Sequence, residues 1–447
     1  MLTPMRAPAP VRPRARRPAR ADDLAGWLAF ADALHPQSID MGLERVAVVR
    51  DALGLAPEFP IITVAGTNGK GSTCAMLESV LRAAGHVVGL YTSPHLLRYN
   101  ERVCIDGVAA GDALLAAGFA RVDAARGDIE LTPFEFGTLA AMCVFVEAGL
   151  DAAVLEVGLG GRLDAVNAFD ADCAIVTSIG IDHVEYLGHT REAIGFEKAG
   201  VFRARRTAIS ADPDPPPTIA RHAWQIGARL LQNGRDYWVR RSGDEWALVH
   251  PGGEISGLPL PALAGDFQLD NAAAALLALH TLGPRLSVDA DHRREGLQQV
   301  RLAGRFQRMR RDAVSPEIVL DVCHNPHAAL QLAGTLAQHP AEGRTLAVFG
   351  MLRDKDIAGT ARAVAEHIDG WFVAGLAERR GATAAEMAVA LDAAEVHASV
   401  RLAATPVDAL RLALHSATAT DRVLVFGSFA TVGAVLRELQ AEAVAAA

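Results

Sequence analysis

The chain has 447 residues, of which 51% are hydrophobic and 21% charged, a composition typical of a soluble globular protein with two or three domains. Its formal net charge of -9 argues against nucleic acid as the main partner, and no apolar run approaches the roughly twenty residues of a membrane span. The five cysteines are scattered and form no C-x-x-C pair, which predicts free thiols in a reducing cytoplasm.

Residues 1–21 are rich in Pro, Ala and Arg, and we expect them to form a disordered tail. The prolines exclude the amphipathic helix of a transit peptide, and the apolar segment of a signal peptide is missing. After the tail, acidic caps at Asp22 and Asp23 predict a helix to residue 34, and a second helix is predicted over 42–53.

From residue 61 the predicted elements alternate between strands and helices. The predicted strands are 61–64, 87–91, 152–157 and 173–179, and the predicted helices are 70–84, 112–125, 134–147 and 190–202. Short apolar strands of this kind are typical of parallel strands buried on both faces. The pattern therefore predicts a doubly wound α/β sheet.

The pattern changes after a Pro-rich loop at 213–217. Segments 237–240 and 246–249, joined by a Ser-Gly-Asp turn, predict a hairpin in a small antiparallel section, and helices follow over 271–282 and 291–300. A second alternation has strands near 318–322, 346–349, 371–374 and 423–426. We therefore predict an N-terminal domain over 22–300 and a C-terminal Rossmann-like α/β domain over 301–447.

The turn after the first predicted strand has the composition of a phosphate-binding loop (P-loop). Its residues are Gly66, Thr67, Asn68, Gly69, Lys70, Gly71, Ser72 and Thr73. The glycines let backbone N–H groups approach phosphate oxygens, and a helix N-terminus follows. Because Gly71 separates Lys70 from Ser72, the G-x-x-x-x-G-K-[ST] spacing is not met, and we interpret the segment as a shortened ATP-binding loop. The alternative is a Gly-rich turn with a solvated lysine.

Polar residues also follow other predicted strands. Glu156 ends one strand and His183 follows the next, so both are expected at the same sheet edge as Lys70, where Mg²⁺ needs oxygen ligands. Asp321 and His324 follow the strand at 318–322 and are expected to face the nucleotide from the second domain. Helix capping or solvent exposure is the alternative for these residues.

Two other motifs are weaker. The glycines at 158 and 160 begin a G-x-G-x-x-G pattern, but Leu163 replaces its third glycine, so hydride chemistry is disfavoured. The segment 323–327 contains Cys323 and two histidines, but no second ligand pair lies at zinc spacing.

Together the motifs resemble the bacterial bifunctional dihydrofolate synthase/folylpolyglutamate synthase family of the Mur ligase superfamily. They are GTNGKGST at 66–73, TSPHL at 92–96, ERV at 101–103, EVGLGGRLDA at 156–165, DH at 182–183, EKAG at 197–200, GRF at 304–306, DVCHNP at 321–326, GMLRDKD at 350–356 and GSF at 427–429. The resemblance implies a Mur-ligase-like fold whose N-terminal sheet carries the P-loop.

The resemblance implies an ATP-dependent ligase. A dihydropteroate or tetrahydrofolate carboxylate attacks ATP to give an acyl phosphate, and the amine of L-glutamate then displaces phosphate. It implies two Mg²⁺ sites and a possible monovalent cation. From the composition we expect a cytoplasmic enzyme without nucleic-acid or membrane partners, and a monomer is the default expectation. A monofunctional folylpolyglutamate synthase, a cell-wall Mur-type ligase and a non-catalytic ATP-binding protein are the alternatives.

The resemblance also implies roles for individual residues. The implied nucleotide contacts outside the loop are Asn271, Arg305 and Asp321. The implied metal ligands are Ser93, Glu156, His183 and Lys198, with Ser72 nearby, and Lys198 is expected to be carbamylated. The implied catalytic residues are Lys70, Lys198, Asp321 and His324. The implied substrate residues are Thr132, Phe134, Asp164 and Ala165 for the pterin, together with Ser428.

Overall fold

The computed structural model describes residues 17–446 except 21, 38, 284 and 313. Of the predicted tail, residues 1–16 and 21 lie outside the described residues. At residue 17 the chain is already in contact with the first domain, because Arg17 Nε lies 2.5 Å from Asp123 Oδ2. None of the described helices combines the length and apolar character that a membrane span needs.

The first sheet has eight strands. They are β1 Ile61–Ala65, β2 Val88–Tyr91, β3 Val103–Ile105, β4 Val108–Ala109, β5 Ala152–Glu156, β6 Cys173–Val176, β7 Thr207–Ser210 and β8 Arg229–Gln232. Their order is β4-β3-β2-β5-β1-β6-β7-β8, and all neighbours are parallel except those that involve β3 and β4. The four predicted strands are confirmed, whereas β3, β4, β7 and β8 were not predicted.

Helices cover both faces of this sheet, as predicted. They are α1 Leu24–Leu34, α2 Glu44–Leu53, α3 Lys70–Ala83, α4 Asp112–Ala125, α5 Pro133–Ala148, α6 Val184–Leu187, α7 Arg191–Ala199, α8 Pro217–Ile226, α9 Phe267–Thr281 and α10 Ala290–Gln299. Along β1, Ile61 joins the apolar cluster with α1, α4 and α5, whereas Ile62 joins the cluster with α3 and α9. Because successive side chains of a strand point to opposite faces of the sheet, β1 contributes to two apolar cores. Helices α6 and α8 were not predicted.

The predicted hairpin is confirmed and gains a third strand. This antiparallel sheet contains β9 Trp238–Ser242, β10 Glu245–His250 and β11 Gly253–Pro259. Trp246 of β10 is buried in the same cluster as α9, and its indole N–H donates to the carbonyl of Pro259 at 2.8 Å. That hydrogen bond lets a large polar-tipped ring anchor the small sheet.

The C-terminal part is a second α/β sheet. Its strands are β12 Gln307–Met309, β13 Glu317–Asp321, β14 Thr345–Phe349, β15 Gly370–Ala374, β16 Ser399–Ala403 and β17 Arg422–Phe426, in the order β12-β13-β17-β14-β15-β16. Only β12 is antiparallel to its neighbour. The helices are α11 Pro326–Gln338, α12 Ile357–Val364, α13 Ala384–Ala393, α14 Pro406–Ser416 and α15 Phe429–Ala446. The four strands predicted here are confirmed, and β12 and β16 were not predicted.

Candidate active site

Four neighbouring parallel strands of the first sheet end at one edge. In the order β2, β5, β1 and β6, they lead to Ser93, to Glu156, to the P-loop and to the Asp182–His183 pair. Because parallel strands all point the same way, their carboxyl ends converge, and this is where open α/β sheets bind ligands. The sheet order therefore brings together residues that are up to 117 positions apart.

The P-loop is a tight turn between β1 and α3. Gly69 has a φ of 88°, and a Cβ there would lie 2.6 Å from Oδ1 of Asn271, so only glycine fits. Lys70 Nζ donates to the carbonyls of Gly66 and Thr67 at 2.9 and 3.2 Å. The ammonium group is thus held over the loop, where a phosphate group would bind.

The hydroxyl groups of the loop have different partners. Thr67 Oγ1 donates to Gly180 O at 3.1 Å, and Thr73 Oγ1 donates to Gly69 O at 3.0 Å, which ties both to the backbone. Ser72 Oγ instead accepts from the side-chain amide of Gln268 at 3.3 Å. The buried hydroxyl group of Ser72 therefore joins the P-loop to helix α9.

Glu156 and Ser93 meet at the end of β5. Glu156 is 5% exposed, and its Oε2 accepts from the backbone N–H of Ser93 at 3.0 Å. Burial raises the pKa of this carboxyl group, and the positive charge of Lys70 opposes the rise. Its other oxygen, Oε1, points toward the P-loop, 3.9 Å from the position a Cβ would take at Gly71.

Asp182 and His183 directly precede the short helix α6, and His183 is its N-cap residue. Burial and the charge of Lys355 lower the pKa of His183 to about 4, so its imidazole is neutral at physiological pH. Asp182 contacts His324 and forms an ion pair with Lys355, in which Oδ1 and Nζ are 2.5 Å apart. Burial raises the pKa of Asp182, but these two contacts outweigh it and the pKa is lowered.

Lys198 lies in α7 with only 5% of its surface exposed. Its Nζ donates to the carbonyl of Gly66 at 2.9 Å, so it reaches the start of the P-loop. Burial, followed by repulsion from Lys70, lowers the pKa of Lys198 to about 7. A large fraction of this amine is therefore uncharged and nucleophilic near neutral pH.

The C-terminal sheet presents its own carboxyl edge to the first sheet. Asp321 is half-buried at the end of β13, and its oxygens accept from the backbone N–H groups of Phe306 and Cys323 at 2.9 and 2.8 Å. Burial raises the pKa of Asp321, and the charge of Arg305 opposes the rise. The Arg305 guanidinium stacks over the ring of Phe429, 5.6 Å from its centre.

His324 and Ser428 line the same edge. His324 Nδ1 lies 2.9 Å from the carbonyl of Val322; because a carbonyl only accepts, we assign the ring proton to Nδ1. Its Nε2 lies 3.6 Å from Asp182 Oδ2. Ser428 Oγ accepts from the backbone N–H of Thr431 at 3.0 Å and caps α15.

Asparagine side chains join the two domains across the P-loop. The amide groups of Asn68 and Asn325 exchange hydrogen bonds of 3.1 and 3.2 Å, and Asn325 Nδ2 also reaches Asp182 at 3.1 Å. His327 Nδ1 lies 2.8 Å from Asn68 Nδ2. The P-loop therefore lies at the interface between the two domains, which these hydrogen bonds join.

A cavity of about 420 Å³ lies between the two carboxyl edges. The sequence-predicted residues that line it are Gly66, Thr67, Asn68, Gly69, Lys70, Gly71, Ser72, Ser93, Glu156, His183, Lys198, Arg305, Asp321, His324 and Ser428. Asn271 instead lines an adjoining cavity that shares Asn68 and Gly69 with the first. The structure thus gathers nearly all the predicted nucleotide and metal residues around one space.

The predicted pterin residues lie beyond the wall of this cavity. Phe134 packs its ring on Gly158, where a Cβ would lie 2.6 Å from the ring. Thr132 is 3% exposed and caps α5 by accepting from the N–H of Glu135 at 3.3 Å. Phe134 therefore borders the strand end that carries Glu156, whereas the Thr132 hydroxyl is occupied by the helix cap.

Asp164 and Ala165 are also buried, each 3% exposed. Asp164 accepts from the backbone N–H groups of Leu159 and Val166 at 2.8 and 3.0 Å. Burial raises its pKa to about 6, although these hydrogen bonds favour the carboxylate. Its carboxyl group holds the turn after β5 in place, and its predicted role toward a pterin stays a prediction.

The donors near Glu156 suit Mg²⁺ better than a transition metal. Among the residues the structure describes, no group of three or more His, Cys, Asp and Glu side chains is arranged to hold a metal. The candidate set has one carboxylate, one neutral imidazole, two hydroxyls and a lysine. Mg²⁺ is commonly bound through one or two carboxylates, with water and substrate phosphates completing its shell. The residues present therefore fit the predicted metal.

Sequence reasoning missed Lys355, which lines the cavity from the C-terminal domain. One signal was available, because the chain has only three lysines among 43 basic residues. All three, Lys70, Lys198 and Lys355, line this one cavity. A chain that otherwise uses arginine keeps lysine where a compact charge or a tunable pKa is needed. Gln268 was also missed.

Known proteins match the chain over nearly its whole length. The family model for the Mur ligase middle domain matches residues 64–279, and that for the Mur ligase glutamate ligase domain matches 304–429. The dihydrofolate synthase/folylpolyglutamate synthase of Escherichia coli (strain K12) is 46% identical over 427 residues, 95% of this chain and 98% of that protein.

Solved structures agree with this match. E. coli FolC in complex with DHPP and ADP superposes with a TM-score of 0.88 at 45% identity, covering 94% of this chain and 98% of that one. A bifunctional folylpolyglutamate synthase/dihydrofolate synthase with Mn, AMPPNP and L-glutamate bound has a TM-score of 0.86 at 44% identity, covering 96% and 100%. The chain belongs to the dihydrofolate synthase/folylpolyglutamate synthase family of Mur ligases.

Proposed function

We propose that this protein is the ATP-dependent ligase that adds L-glutamate to 7,8-dihydropteroate, making dihydrofolate, and to tetrahydrofolate, making folylpolyglutamates. The observation that carries the proposal is the shared cavity, which the P-loop, Glu156, His183 and Lys198 of one domain line together with Arg305, Asp321 and His324 of the other. Relatives bind ADP, AMPPNP, DHPP and L-glutamate. ATP and a divalent metal are its cofactors.

The first step uses the P-loop. A substrate carboxylate oxygen attacks the γ-phosphorus of ATP, the bond to the β-phosphate oxygen breaks, and ADP leaves. Lys70 and the loop N–H groups would hold the β- and γ-phosphates, and Arg305 with Asn271 would hold the rest of the nucleotide. Asp321 would help to position Arg305, because its carboxylate accepts a hydrogen bond from the backbone N–H of the next residue, Phe306.

The second step uses the C-terminal edge. The glutamate amine attacks the acyl carbon, the bond to the phosphate oxygen breaks, and the amine loses a proton. His324 is assigned to this step from its place in the cavity lining, and the proton leaves with the released phosphate. Ser428 lies at the same end of the cavity and is assigned to the glutamate. The two domains that line the cavity would exclude water from the acyl phosphate.

Two Mg²⁺ sites fit the donor set. Ser93 and Glu156, with Ser72 nearby, would hold one, and Glu156, His183 and carbamylated Lys198 would hold the other. When bound, Mg²⁺ neutralises phosphate charge and polarises the γ-phosphate. The depressed pKa of Lys198 supports carbamylation, because only the uncharged amine reacts with CO₂. A monovalent cation is a further candidate.

The pterin is assigned to the pocket around Phe134, Thr132, Asp164 and Ala165. The ring of Phe134 offers a stacking surface beside the strand end that carries the metal ligands. Asp164 and Thr132 would act mainly by shaping this pocket, because their oxygens already accept backbone hydrogen bonds.

The domain division, oligomeric state and location belong to the same proposal. The apolar clusters built on the first sheet end at Val300 and those built on the second begin at Phe306, which supports domains at 22–300 and 301–447. All five cysteines are free, which supports a reducing cytoplasm. We propose a monomer, and light scattering on the eluted protein tests it.

ADP production by the purified protein tests the function. ATP, Mg²⁺ and L-glutamate are supplied with either 7,8-dihydropteroate or tetrahydrofolate. Turnover with both establishes the bifunctional ligase, and turnover with tetrahydrofolate alone favours the monofunctional alternative and removes the Phe134 pocket assignment. Turnover with neither, but with a UDP-linked peptide precursor, would favour the cell-wall ligase instead.

A further inference from the structure

The start of β3 brings an arginine to the carboxyl edge of the first sheet. Because β3 is antiparallel to β2, the residue before it, Arg102, lies beside the carboxyl end of β2. There its carbonyl accepts from the N–H of Thr92 at 2.9 Å. The next residue along β2, Ser93, donates to Glu156 at 3.0 Å. Arg102 therefore lies next to the candidate metal residues, although neither reaction step proposed above uses it.

The guanidinium group of Arg102 is held in place but uses only part of its hydrogen-bonding capacity. Its Nε donates to Nδ1 of His95 at 2.9 Å, and its Cζ lies 5.2 Å from the centre of the Tyr99 ring. Among the residues that the structure describes, none accepts from Nη1 or Nη2, and no carboxylate forms an ion pair with this group. Arginine binds a carboxylate through such paired N–H groups. The Nη groups are therefore available to a ligand.

His95 orients the guanidinium group without neutralising it. Its Nδ1 accepts from Arg102, so this nitrogen carries no proton. Burial, followed by the charge of Arg102, lowers the pKa of His95, which keeps the ring neutral at physiological pH. The His95 ring also packs against that of Tyr99, with the ring centres 6.0 Å apart. Arg102 thus keeps a full positive charge in a fixed direction.

Two protein carboxyl groups respond to this charge without pairing with it. Burial raises the pKa of Glu156, and Arg102 is among the positive charges that oppose the rise, after Lys70. Burial likewise raises the pKa of Asp32 in α1, and Arg102 opposes that rise too. The charge of Arg102 therefore acts at the strand end where we place phosphoryl transfer.

The aromatic residues around Arg102 continue into the proposed pterin pocket. The Tyr99 hydroxyl lies against Gly137 of α5, about one turn after Phe134, and a Cβ at Gly137 would collide with it. Tyr91, at the end of β2, has its ring centre 6.0 Å from that of Phe134. Arg102 therefore borders both the Phe134 pocket and the strand end that carries the candidate metal ligands.

The two proposed acceptor substrates differ in charge at this place. Dihydropteroate has a single carboxylate, which is the group that reacts. Tetrahydrofolate ends in a glutamate whose γ-carboxylate reacts and whose α-carboxylate stays free a short carbon chain away. When the reacting carboxylate lies beside Glu156, only tetrahydrofolate brings a second negative group into the neighbourhood of Arg102.

We propose that Arg102 is a specificity-determining residue: its guanidinium group binds the free α-carboxylate at the glutamate end of a folate. It therefore supports glutamate addition to tetrahydrofolate and has no such role with dihydropteroate. The assignment rests on the proposed function and adds to it a residue that separates the two activities.

Arg102→Gln tests the proposal, with Arg98→Gln as its matched control. Glutamine keeps a hydrogen-bond donor and removes the charge. Arg98 lies in the same turn, but its guanidinium group is exposed and pairs with Asp112 at 3.1 Å. The control therefore removes the same charge outside the pocket. Initial rates of ADP production at saturating ATP, Mg²⁺ and L-glutamate give kcat and KM for each acceptor substrate.

We expect the KM for tetrahydrofolate to rise roughly 10- to 100-fold in Arg102→Gln, the range that a hydrogen bond to a charged group contributes. The kcat should change little, because the α-carboxylate is bound equally before and during the reaction. The KM for dihydropteroate should stay the same. Arg102→Lys should recover part of the affinity for tetrahydrofolate, since it restores the charge but not the paired N–H groups.

A modified substrate tests the same contact from the other side. Tetrahydrofolate with its α-carboxylate converted to a carboxamide keeps the reacting γ-carboxylate and loses the second charge. Its KM with the unmodified protein should be raised by about the same factor, and Arg102→Gln should not distinguish it from tetrahydrofolate. Two losses that simply add would show that the groups do not interact and would overturn the proposal.

The other outcomes are equally decisive. An equal rise in KM for both acceptor substrates, or the same rise in Arg98→Gln, would show a general effect on the turn and overturn the proposal. If Arg102→Gln melts well below the unmodified protein, Arg102→Lys with tetrahydrofolate and its carboxamide replaces it. No turnover of either substrate by the unmodified protein would instead remove the proposed function, and this assignment with it.

Discussion

Lys198→Met should change how stability depends on pH. Methionine has a similar length without an ionisable group, so the variant removes the titration of a buried amine. The pKa of Lys198 is about 7 in the folded protein and 10.5 as the ordinary value. Between these pH values the unfolded chain holds a proton that the folded protein has released.

The sign and size follow from this difference. Stability rises with pH wherever the unfolded state binds more protons, so the unmodified protein gains stability from pH 7 to 10.5 and carries the full penalty below pH 7. For a shift of this size the gain from pH 7 to pH 9.5 is about 3 kcal/mol. Lys198→Met lacks this contribution. The free energy of unfolding of Lys198→Met minus that of the unmodified protein should therefore fall by that amount over this pH range.

Urea unfolding at several pH values, followed by circular dichroism in CO₂-free buffer, provides the measurement. Loss of the Nζ hydrogen bond to Gly66 lowers the stability of Lys198→Met by an amount that does not depend on pH. Lys198→Arg is the matched control, because arginine stays charged throughout, and its difference from Lys198→Met should be flat. If the difference in the free energy of unfolding between Lys198→Met and the unmodified protein also stays constant with pH, the lowered pKa of Lys198 is refuted.

Bicarbonate extends the same experiment. At pH 8.5 most of the Lys198 amine is uncharged, so added bicarbonate with Mg²⁺ should stabilise the unmodified protein by mass action. Lys198→Met should not respond. Equal responses of the two proteins would count against a carbamate at this position.

Three further changes probe other contacts. Gly158→Ala places a Cβ 2.6 Å from the ring of Phe134, so the KM for dihydropteroate should rise about tenfold. ADP binding, measured by calorimetry, should be unchanged. An unaltered KM would contradict a role of the Phe134 ring in pterin binding. Asn325→Ala removes the hydrogen bonds to Asn68 and Asp182 across the domain interface, so the KM for ATP should rise by a factor matching about 1–3 kcal/mol. A lower melting temperature with an unchanged KM would contradict this. Arg45→Ala removes the ion-pair partner of the buried Glu135 carboxylate and should lower the free energy of unfolding, measured in urea, by about 2–3 kcal/mol. Adding Glu135→Gln to this variant should restore part of the loss. An unchanged free energy of unfolding would mean that the ion pair does not stabilise the protein.

The sequence predicted the central strands well and the edge strands poorly. Strands β1, β5 and β6 are continuous apolar runs that are buried on both faces, so local composition identifies them. Strand β16 is exposed at its first four residues, and β4 has two exposed residues. Such segments become strands through pairing with a neighbour, and pairing is a non-local interaction that composition does not record.

Candidate site residues were predictable where they follow a strand in the chain. The rule that parallel strand ends converge, together with the family resemblance, named Glu156, His183 and Asp321, and the structure gathers them around one cavity. Lys355 also follows a strand, β14, but no role was assigned to it. Its place in the site depends on Asp182, which lies 173 positions earlier in the chain and forms an ion pair with Lys355 across the domain interface.

The sequence by itself determined the strand–turn–helix that forms the P-loop and the chemical types of the candidate ligands, because both depend on residues next to one another. Only the tertiary structure decided the interface between the domains, in which Asn68 bonds to Asn325, 257 positions away. It also decided the pKa of Lys198, which depends on burial and on the charge of Lys70. Electrostatic interactions and desolvation depend on distance through space and on the surrounding medium, and neither can be read from separation along the chain.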